Sequence, residues 1–131
     1  MQDIIKELTG YLYTIETFDK DSAQDGQVLH AYLIDLTNKL ARANYIMADY
    51  KRLMRKEKAT NYLKLAASSQ AQEKYYAPSL AKDFIDAQSS DLGFVFDLAE
   101  RTSRTILHTM DGLRTIISSL KSERSFAQFQ Q

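Results

Sequence analysis

The fold of this chain is decided by residues 29–54, LHAYLIDLTNKLARANYIMADYKRLM. Apolar side chains recur there at alternating spacings of four and three residues, the heptad pattern of helices that pack along a shared seam. The positions are Leu29, Leu33, Leu36, Leu40, Ala43, Met47, Tyr50 and Met54. Almost four heptads without an interruption predict one long helix with a single buried face.

A second heptad series follows a Ser-Ser-Asp cluster at residues 89–91, whose side chains suit a helix N-cap. Its positions keep the same alternation, with one polar member, Ser103: Leu92, Phe96, Ala99, Ser103, Ile106, Met110, Leu113, Ile117 and Leu120. Two long helices joined by a short turn bury such seams when they lie antiparallel. We predict an all-α fold, an antiparallel hairpin of two long helices with a shorter N-terminal helix and a short helix at the turn.

Turn signals set the expected boundaries. The chain has only four glycines and one proline, Pro78, so long helices are favoured. We predict a single domain over residues 1–131, with an N-terminal helix at 1–17, a long basic helix at 27–76, a short helix at 79–88, a long C-terminal helix at 90–124 and a frayed tail at 125–131.

The first seam loses its register after Met54, where the next heptad positions would be Glu57, Asn61 and Lys64. We therefore expect a stutter or local break that shifts the seam. The apolar residues that would take over are Ala59, Tyr62, Leu63 and Ala66.

Composition narrows the class of protein. Zero cysteines exclude disulfides and thiolate metal sites, which favours a reducing cytoplasm. Residues 1–7 carry acids early and no apolar run, which predicts neither a signal peptide nor a transit sequence. Apolar clusters elsewhere are far shorter than the roughly 20 residues of a membrane span. We expect no membrane partner and no cofactor.

The 17 basic and 17 acidic residues cancel, but they are sorted into blocks. The net charge is −5 over residues 1–36, +6 over 37–64, −4 over 65–100 and +3 over 101–131. Folding about Pro78 would place Tyr50 opposite about Ile106 and would bring the two basic blocks into one half of the hairpin. If the short helix at 79–88 folds back separately, the register shifts by several residues and the basic blocks still overlap in part. The sequence therefore predicts a neutral but polarised molecule.

The basic blocks supply the candidate binding residues. A phosphate backbone needs unopposed cations, and exposed tyrosines can stack on unpaired bases. The candidates for nucleic-acid contact are Lys51, Arg52, Arg55, Lys56, Lys58, Arg101, Arg104 and Arg114, with Tyr50 and Tyr62 as possible stacking residues. The alternative for the cations of the middle helix is a solvated helix face. For the arginines of the last helix, the alternative is interhelical salt bridges to acids such as Asp35 and Asp49.

Few catalytic patterns are present. The chain has no Gly-rich phosphate loop and no His-Glu-x-x-His or Gly-x-Ser-x-Gly motif, so we expect no enzyme and no metal site. One spacing stands apart: Arg101 and His108 lie seven residues apart on a late helix, which resembles the Arg-x6-His motif of HEPN-type ribonucleases. In that family His108 would act as general acid or base and Arg101 would hold the phosphate.

The C-terminal third carries a further resemblance. Glu100-Arg101-Thr102-Ser103-Arg104, followed by His108, Asp111, residues 113–118 and Lys121-Ser122-Glu123, looks like the end of small helical proteins encoded by tailed phages beside replication and recombination genes. The plan over residues 40–124 is similar to that of the UvsY-like recombination mediators of T-even phages. The resemblance implies a non-enzymatic homo-oligomer that binds single-stranded DNA, helps remove the single-strand-binding protein and loads the recombinase.

In that family the last helix serves assembly, and residues 51–58 would contact the DNA. Our first hypothesis is therefore an oligomeric single-strand-binding accessory of recombination or replication. The rival is a helical scaffold or adaptor that acts through protein contacts, for example as a structural protein of a phage. A HEPN-like ribonuclease is the third hypothesis.

Overall fold

The computed structural model describes residues 1–18, 25–72 and 75–130, with all their side chains except those of Gln72, Phe129 and Gln130. Within these residues the chain forms four α-helices and no strand: α1 (Gln2–Glu16), α2 (Gly26–Gln72), α3 (Pro78–Gln88) and α4 (Ser90–Gln130). The long helices α2 and α4 pack against each other, which confirms the predicted all-α hairpin. None of the described helices combines the length and apolar character needed to cross a bilayer.

Two contacts fix the register between α2 and α4. Ser103 Oγ donates a hydrogen bond to Asn44 Oδ1 at 2.8 Å, and Met54 Sδ lies 3.8 Å from the point where a Cβ on Gly93 would sit. Both pairs place residue n of α2 beside about residue 147 − n of the second arm, so Tyr50 lies beside about residue 97. The predicted pairing of Tyr50 with Ile106 is thus wrong by about nine residues. The chain turns before Pro78, because α3 belongs to the returning arm and packs on α2.

The helix ends also differ from the prediction. Residues 75–77 are not helical, whereas α2 was expected to reach Tyr76. Ala77 has the extended backbone (φ −59°, ψ 138°) that a following proline imposes. At the other end, the tail predicted to fray is helical to Gln130, and side chains 121–128 are exposed. No glycine or proline interrupts it, and by the observed register it runs past the start of α2.

The core lies where three helices meet, which we call the three-helix end. Here α1 runs antiparallel to α2: the rings of Phe18 and Tyr32 stack at 3.9 Å, and Lys39 Nζ lies 5.6 Å from the centre of the Tyr11 ring. Leu8 of α1 is fully buried. The helix α1 packs mainly on α4 and reaches α2 through these side chains. Tyr32 and Ile46 are buried, whereas the heptad residues Leu33, Leu40 and Met47 are only half-buried.

Beyond Tyr50 the molecule is thinner. In this part of α2, Met54 lies beside Gly93 of α4, Lys58 pairs with Asp86 of α3, and Leu65 lines a cleft with Leu80 of α3. We call residues 53–72 and the segments beside them the two-helix end. Among the described residues from 51 to 90, only Ile85 and Ser89 are buried. The predicted seam shift does not occur: α2 continues without a break, and the four residues expected in the shifted seam are exposed, Ala59, Tyr62, Leu63 and Ala66.

Candidate nucleic-acid interface

The densest cluster of cations lies on the middle of α2. Because α2 is one continuous helix, residues at i, i+4, i+7 and i+11 share a side of it. Lys51, Arg55, Lys58 and Tyr62 have this spacing, and we call them the basic face. Lys51 and Arg55 are exposed, Lys58 is half-buried, and the Tyr62 side chain is 42% exposed.

Two of the five cations on this part of α2 are paired with acids. Arg52 Nη2 lies 2.9 Å from Asp49 Oδ1, and Lys58 Nζ lies 3.0 Å from Asp86 Oδ1 of α3. Lys51, Arg55 and Lys56 have no ion pair within the described residues. Ion pairs at such exposed positions contribute little to stability, but at Arg52 and Lys58 the carboxylate competes with any phosphate for the cation.

The arginines of α4 do not join this cluster. By the observed register, Arg114 lies beside about residue 33 of α2, roughly 30 Å along the helix axis from the basic face. Its Nη1 pairs with Asp111 Oδ1 at 3.0 Å, and Arg104 pairs with Glu100. Arg101 is exposed and lies beside about residue 46.

Because of the nine-residue difference in register, the two basic blocks overlap only in part: residues 101–110 lie beside about residues 37–46. Residues 51–58 lie beside about residues 89–96, an arm that carries acids instead of arginines. These acids are Asp83, Asp86, Asp91 and Asp97. The two-helix end is basic on its α2 side and acidic on the side of α3 and the start of α4.

The two candidate stacking tyrosines are placed differently. Tyr50 is only 8% exposed and belongs to the core, so its ring cannot stack on a base, and that prediction is wrong. The position of Tyr50 in the first heptad series was the sequence feature that indicated a buried side chain. Tyr45 lies outside the seam and is 62% exposed, with the Arg42 guanidinium 5.7 Å from its ring centre. Sequence reasoning did not select Tyr45 as a binding residue.

The guanidinium of Arg42 is fixed by hydrogen bonds to the carboxylate of Glu7 in α1. Its Nε donates to Glu7 Oε1 at 2.8 Å and its Nη2 to Oε2 at 3.2 Å, while the Tyr11 hydroxyl donates to Oε1 at 2.6 Å. The hydrogen bond from Arg42 lowers the pKa of Glu7 below its ordinary value. Burial, together with the bond to Glu7, raises the pKa of Tyr11 to about 12. This cluster fastens α1 to α2.

Arg101 and His108, the pair with the ribonuclease spacing, are both exposed and lie about two turns apart on the outer side of α4. A shallow depression beside Arg101 is lined by Phe94, Asp97 and Leu98, and His108 lies outside it. Among the residues that the structure describes, no group of three or more histidine, aspartate or glutamate side chains could hold a metal ion.

Comparison of the chain with protein families, curated proteins and solved structures finds no match. We therefore infer the function from the geometry of the helices. The exposed, partly unpaired cations of α2 are the arrangement in the described residues with the clearest binding chemistry.

Proposed function

We propose that this protein is a non-enzymatic, self-associating helical protein that binds single-stranded nucleic acid along the basic face of α2. The observation that carries this proposal is the alignment of Lys51, Arg55, Lys58 and Tyr62 on one side of an unbroken helix. Lys51 and Arg55 have no acidic partner among the described residues, so their charges are available to phosphates.

The expected affinity follows from the number of phosphates neutralised. Each cation that contacts a phosphate releases counterions, and on a single strand the slope of log K against log salt is about −0.7 per contact. Three or four contacts on one chain give a slope of roughly −2 to −3. A single copy should therefore bind weakly, and binding should fall steeply with salt.

The exposed tyrosine favours a single strand over a duplex. The ring of Tyr62 follows the three cations on the same side of the helix, and an aromatic face can stack only on an unpaired base. The proposed role in recombination or replication, with a recombinase and a single-strand-binding protein as partners, rests on the resemblance of residues 100–123 to the phage mediators.

Fluorescence anisotropy of a labelled single strand tests the proposal. We expect binding at about 50 mM salt that weakens strongly by about 200 mM. The double variant Lys51→Glu, Arg55→Glu should abolish it. Lys64→Glu is the matched control, because Lys64 is exposed on the same helix but on a different side. No binding by the folded wild type at low salt, or equal loss in the control and the double variant, would refute the proposal.

One observation favours the rival function, a helical scaffold or adaptor. An apolar cleft of about 220 Å³ at the two-helix end is lined by Leu65, Tyr76, Leu80, Ala81 and Phe84. Exposed apolar patches mark protein interaction sites. If this function is the correct one, folded protein fails to bind the strand at any salt concentration, and Leu80→Lys disrupts binding of a protein partner that Lys51→Glu leaves intact.

A further inference from the structure

A second heptad series runs along the outer side of α2, away from α4. Its positions alternate by four and three residues over 26 residues of one unbroken helix, about 39 Å long. They are Ala41, Tyr45, Ala48, Arg52, Arg55, Ala59, Tyr62 and Ala66, and every one is exposed. We call this series the outer stripe. The Arg42 guanidinium lies over the Tyr45 ring, and Tyr62 and Ala66 border a shallow cleft with Tyr75, Tyr76 and Ala81. Arg52 pairs with Asp49 of the same helix, and the other members of the stripe are exposed and take part in none of these contacts.

The order of residue types along the outer stripe is the same from both ends. From Ala41 inward the order is Ala, Tyr, Ala, Arg, and from Ala66 inward it is again Ala, Tyr, Ala, Arg. The centre of the sequence lies between Leu53 and Met54. An interface between two identical subunits related by a two-fold axis uses the same patch on both, and the patch must complement itself. A palindromic stripe places like residues opposite each other when two helices meet antiparallel, which suits its alanines and tyrosines. Arg52 then faces Arg55 of the second copy, and these two like charges repel.

We propose that a second copy of this chain docks on the outer stripe, with the two α2 helices antiparallel about a two-fold axis at residues 53–54. Ala41 then lies opposite Ala66 of the second copy, and Ala48 lies opposite its Ala59. Alanine layers let helix axes approach to near the lower end of the usual 8–10 Å. Tyr45 lies opposite Tyr62 of the second copy, which buries two exposed rings as an aromatic pair. In the docked pair Tyr62 therefore no longer stacks on a base, and the cations alone hold the strand.

The charges beside the outer stripe are arranged unequally. On one flank Asp49 meets Lys56 of the second copy, and the existing ion pair with Asp49 draws Arg52 to this flank. On the other flank Lys51 lies beside Lys58 of the second copy, and Lys58 lies beside its Lys51. The Arg55 side chains lie between these lysines. Two basic faces thus join into one groove. Like charges in that groove oppose docking, and an anion lying along it relieves the repulsion.

The groove deepens the proposed function, because a single strand lying in it would contact the cations of both copies. This step rests on strand binding, whereas the docking of the outer stripes does not. The proposal also assigns assembly to α2, not to the last helix as the phage resemblance implies. The exposed apolar residues of α4, Phe94, Leu107, Ile116 and Phe126, form no heptad series.

Cysteine crosslinking tests the docking without nucleic acid, since the natural chain has no cysteine. Ala48→Cys and Ala59→Cys are prepared separately, then oxidised alone and as a mixture over a series of protein concentrations. We expect a covalent dimer only in the mixture. In each variant alone, the two cysteines of a docked pair lie about 16 Å apart, beyond the roughly 7 Å between Cα atoms that a disulfide can bridge.

The control mixture contains Ala59→Cys and Ala67→Cys, because Ala67 is exposed on α2 but lies off the outer stripe. Crosslinking of either variant with itself, or no crosslink in the mixture, would overturn the proposal. Sedimentation adds a non-covalent measurement: Ala59→Glu should halve the mass of the particle and Ala67→Glu should not.

Strand binding and the docking of two copies can fail independently, and the two failures give different experimental results. A chain that binds the strand but neither sediments as a dimer nor crosslinks would retain the proposed function and contradict the docking. A covalent dimer of Ala48→Cys with Ala59→Cys that does not bind the strand would show the reverse. If both proposals hold, this locked dimer should give a salt slope about twice that of the monomeric Ala59→Glu variant.

Discussion

The three-helix end and the two-helix end are built on the same helix, yet they differ in what they bury. Between Leu29 and Tyr50, α2 is enclosed by α1 and α4, and nearly all the buried apolar side chains lie there. Beyond Tyr50, α2 has a partner on one side only, and its apolar residues Tyr62 and Leu63 are exposed. The first region stabilises the fold, which leaves the second free to present a surface.

The largest expected effect comes from removing a core side chain at the three-helix end. Leu36→Ala deletes a fully buried leucine and should lower the free energy of unfolding by about 2–5 kcal/mol. Urea denaturation followed by circular dichroism measures it. The control at the two-helix end is Leu63→Ala, where the side chain is 74% exposed and the change should stay within about 0.5 kcal/mol. Similar losses in both variants would contradict the comparison.

The contrast between the ends also shows what the sequence could predict. The heptad spacing was sufficient to predict two long helices and their antiparallel packing, because the spacing can be read from local periodicity alone. It could not predict the register, which depends on whether α3 lies inside the turn or on the returning arm. Nor could it show that α1 would pack mainly on α4, or that the buried face would include Tyr32 and Ile46.

The candidate site was predicted less completely for a related reason. The cations of α2 were found correctly as a linear cluster, since exposure of charged residues on a helix is the rule. Which acids lie near them depends on the register, so the ion pair between Lys58 and Asp86 was missed. The exposed residues Ala59 and Tyr62 were assigned to a buried seam on the assumption that an apolar heptad must close within its own chain.

The next effect in size concerns the polar contact inside the α2–α4 seam. Ser103 is buried and donates to Asn44, so Asn44→Ala leaves a buried hydroxyl unpaired. We expect a loss of about 1–3 kcal/mol. The double variant Asn44→Ala, Ser103→Ala should recover part of this loss, because it removes the unpaired hydroxyl. If the double variant is less stable than Asn44→Ala alone, the unpaired Ser103 hydroxyl is not the cause of the loss in Asn44→Ala.

A smaller effect should appear at Glu7, which fastens α1 to the three-helix end. Its pKa is lowered in the folded protein, so its contribution to stability is present above the ordinary glutamate pKa of about 4.3 and is lost as the pH falls through the lowered value. Glu7→Gln should cost about 1 kcal/mol at neutral pH, because the bonded pair is partly exposed.

The pH dependence provides the control. Below the lowered pKa the wild-type carboxyl is protonated, so the stability difference between wild type and Glu7→Gln should shrink. Urea midpoints measured across the acidic range test this. A difference that stays constant with pH would show that the carboxylate charge does not fasten α1.

The smallest effect on stability, and the one that separates folding from binding, belongs to the ion pair between Lys58 and Asp86 at the two-helix end. Both side chains are partly exposed, so Asp86→Asn should change the free energy of unfolding by less than about 1 kcal/mol. The same change frees Lys58 for phosphate. Strand binding should tighten at low salt, and the slope of log K against log salt should steepen by about 0.7.

Asp83→Asn is the matched control, because Asp83 is exposed on the same short helix and has no ion pair among the described residues. It removes the same charge without releasing a cation, so it should change the affinity only through the general field and leave the slope as it is. If both variants steepen the slope equally, Lys58 is not a phosphate contact. If only Asp86→Asn does, the acid on α3 limits how many cations α2 presents.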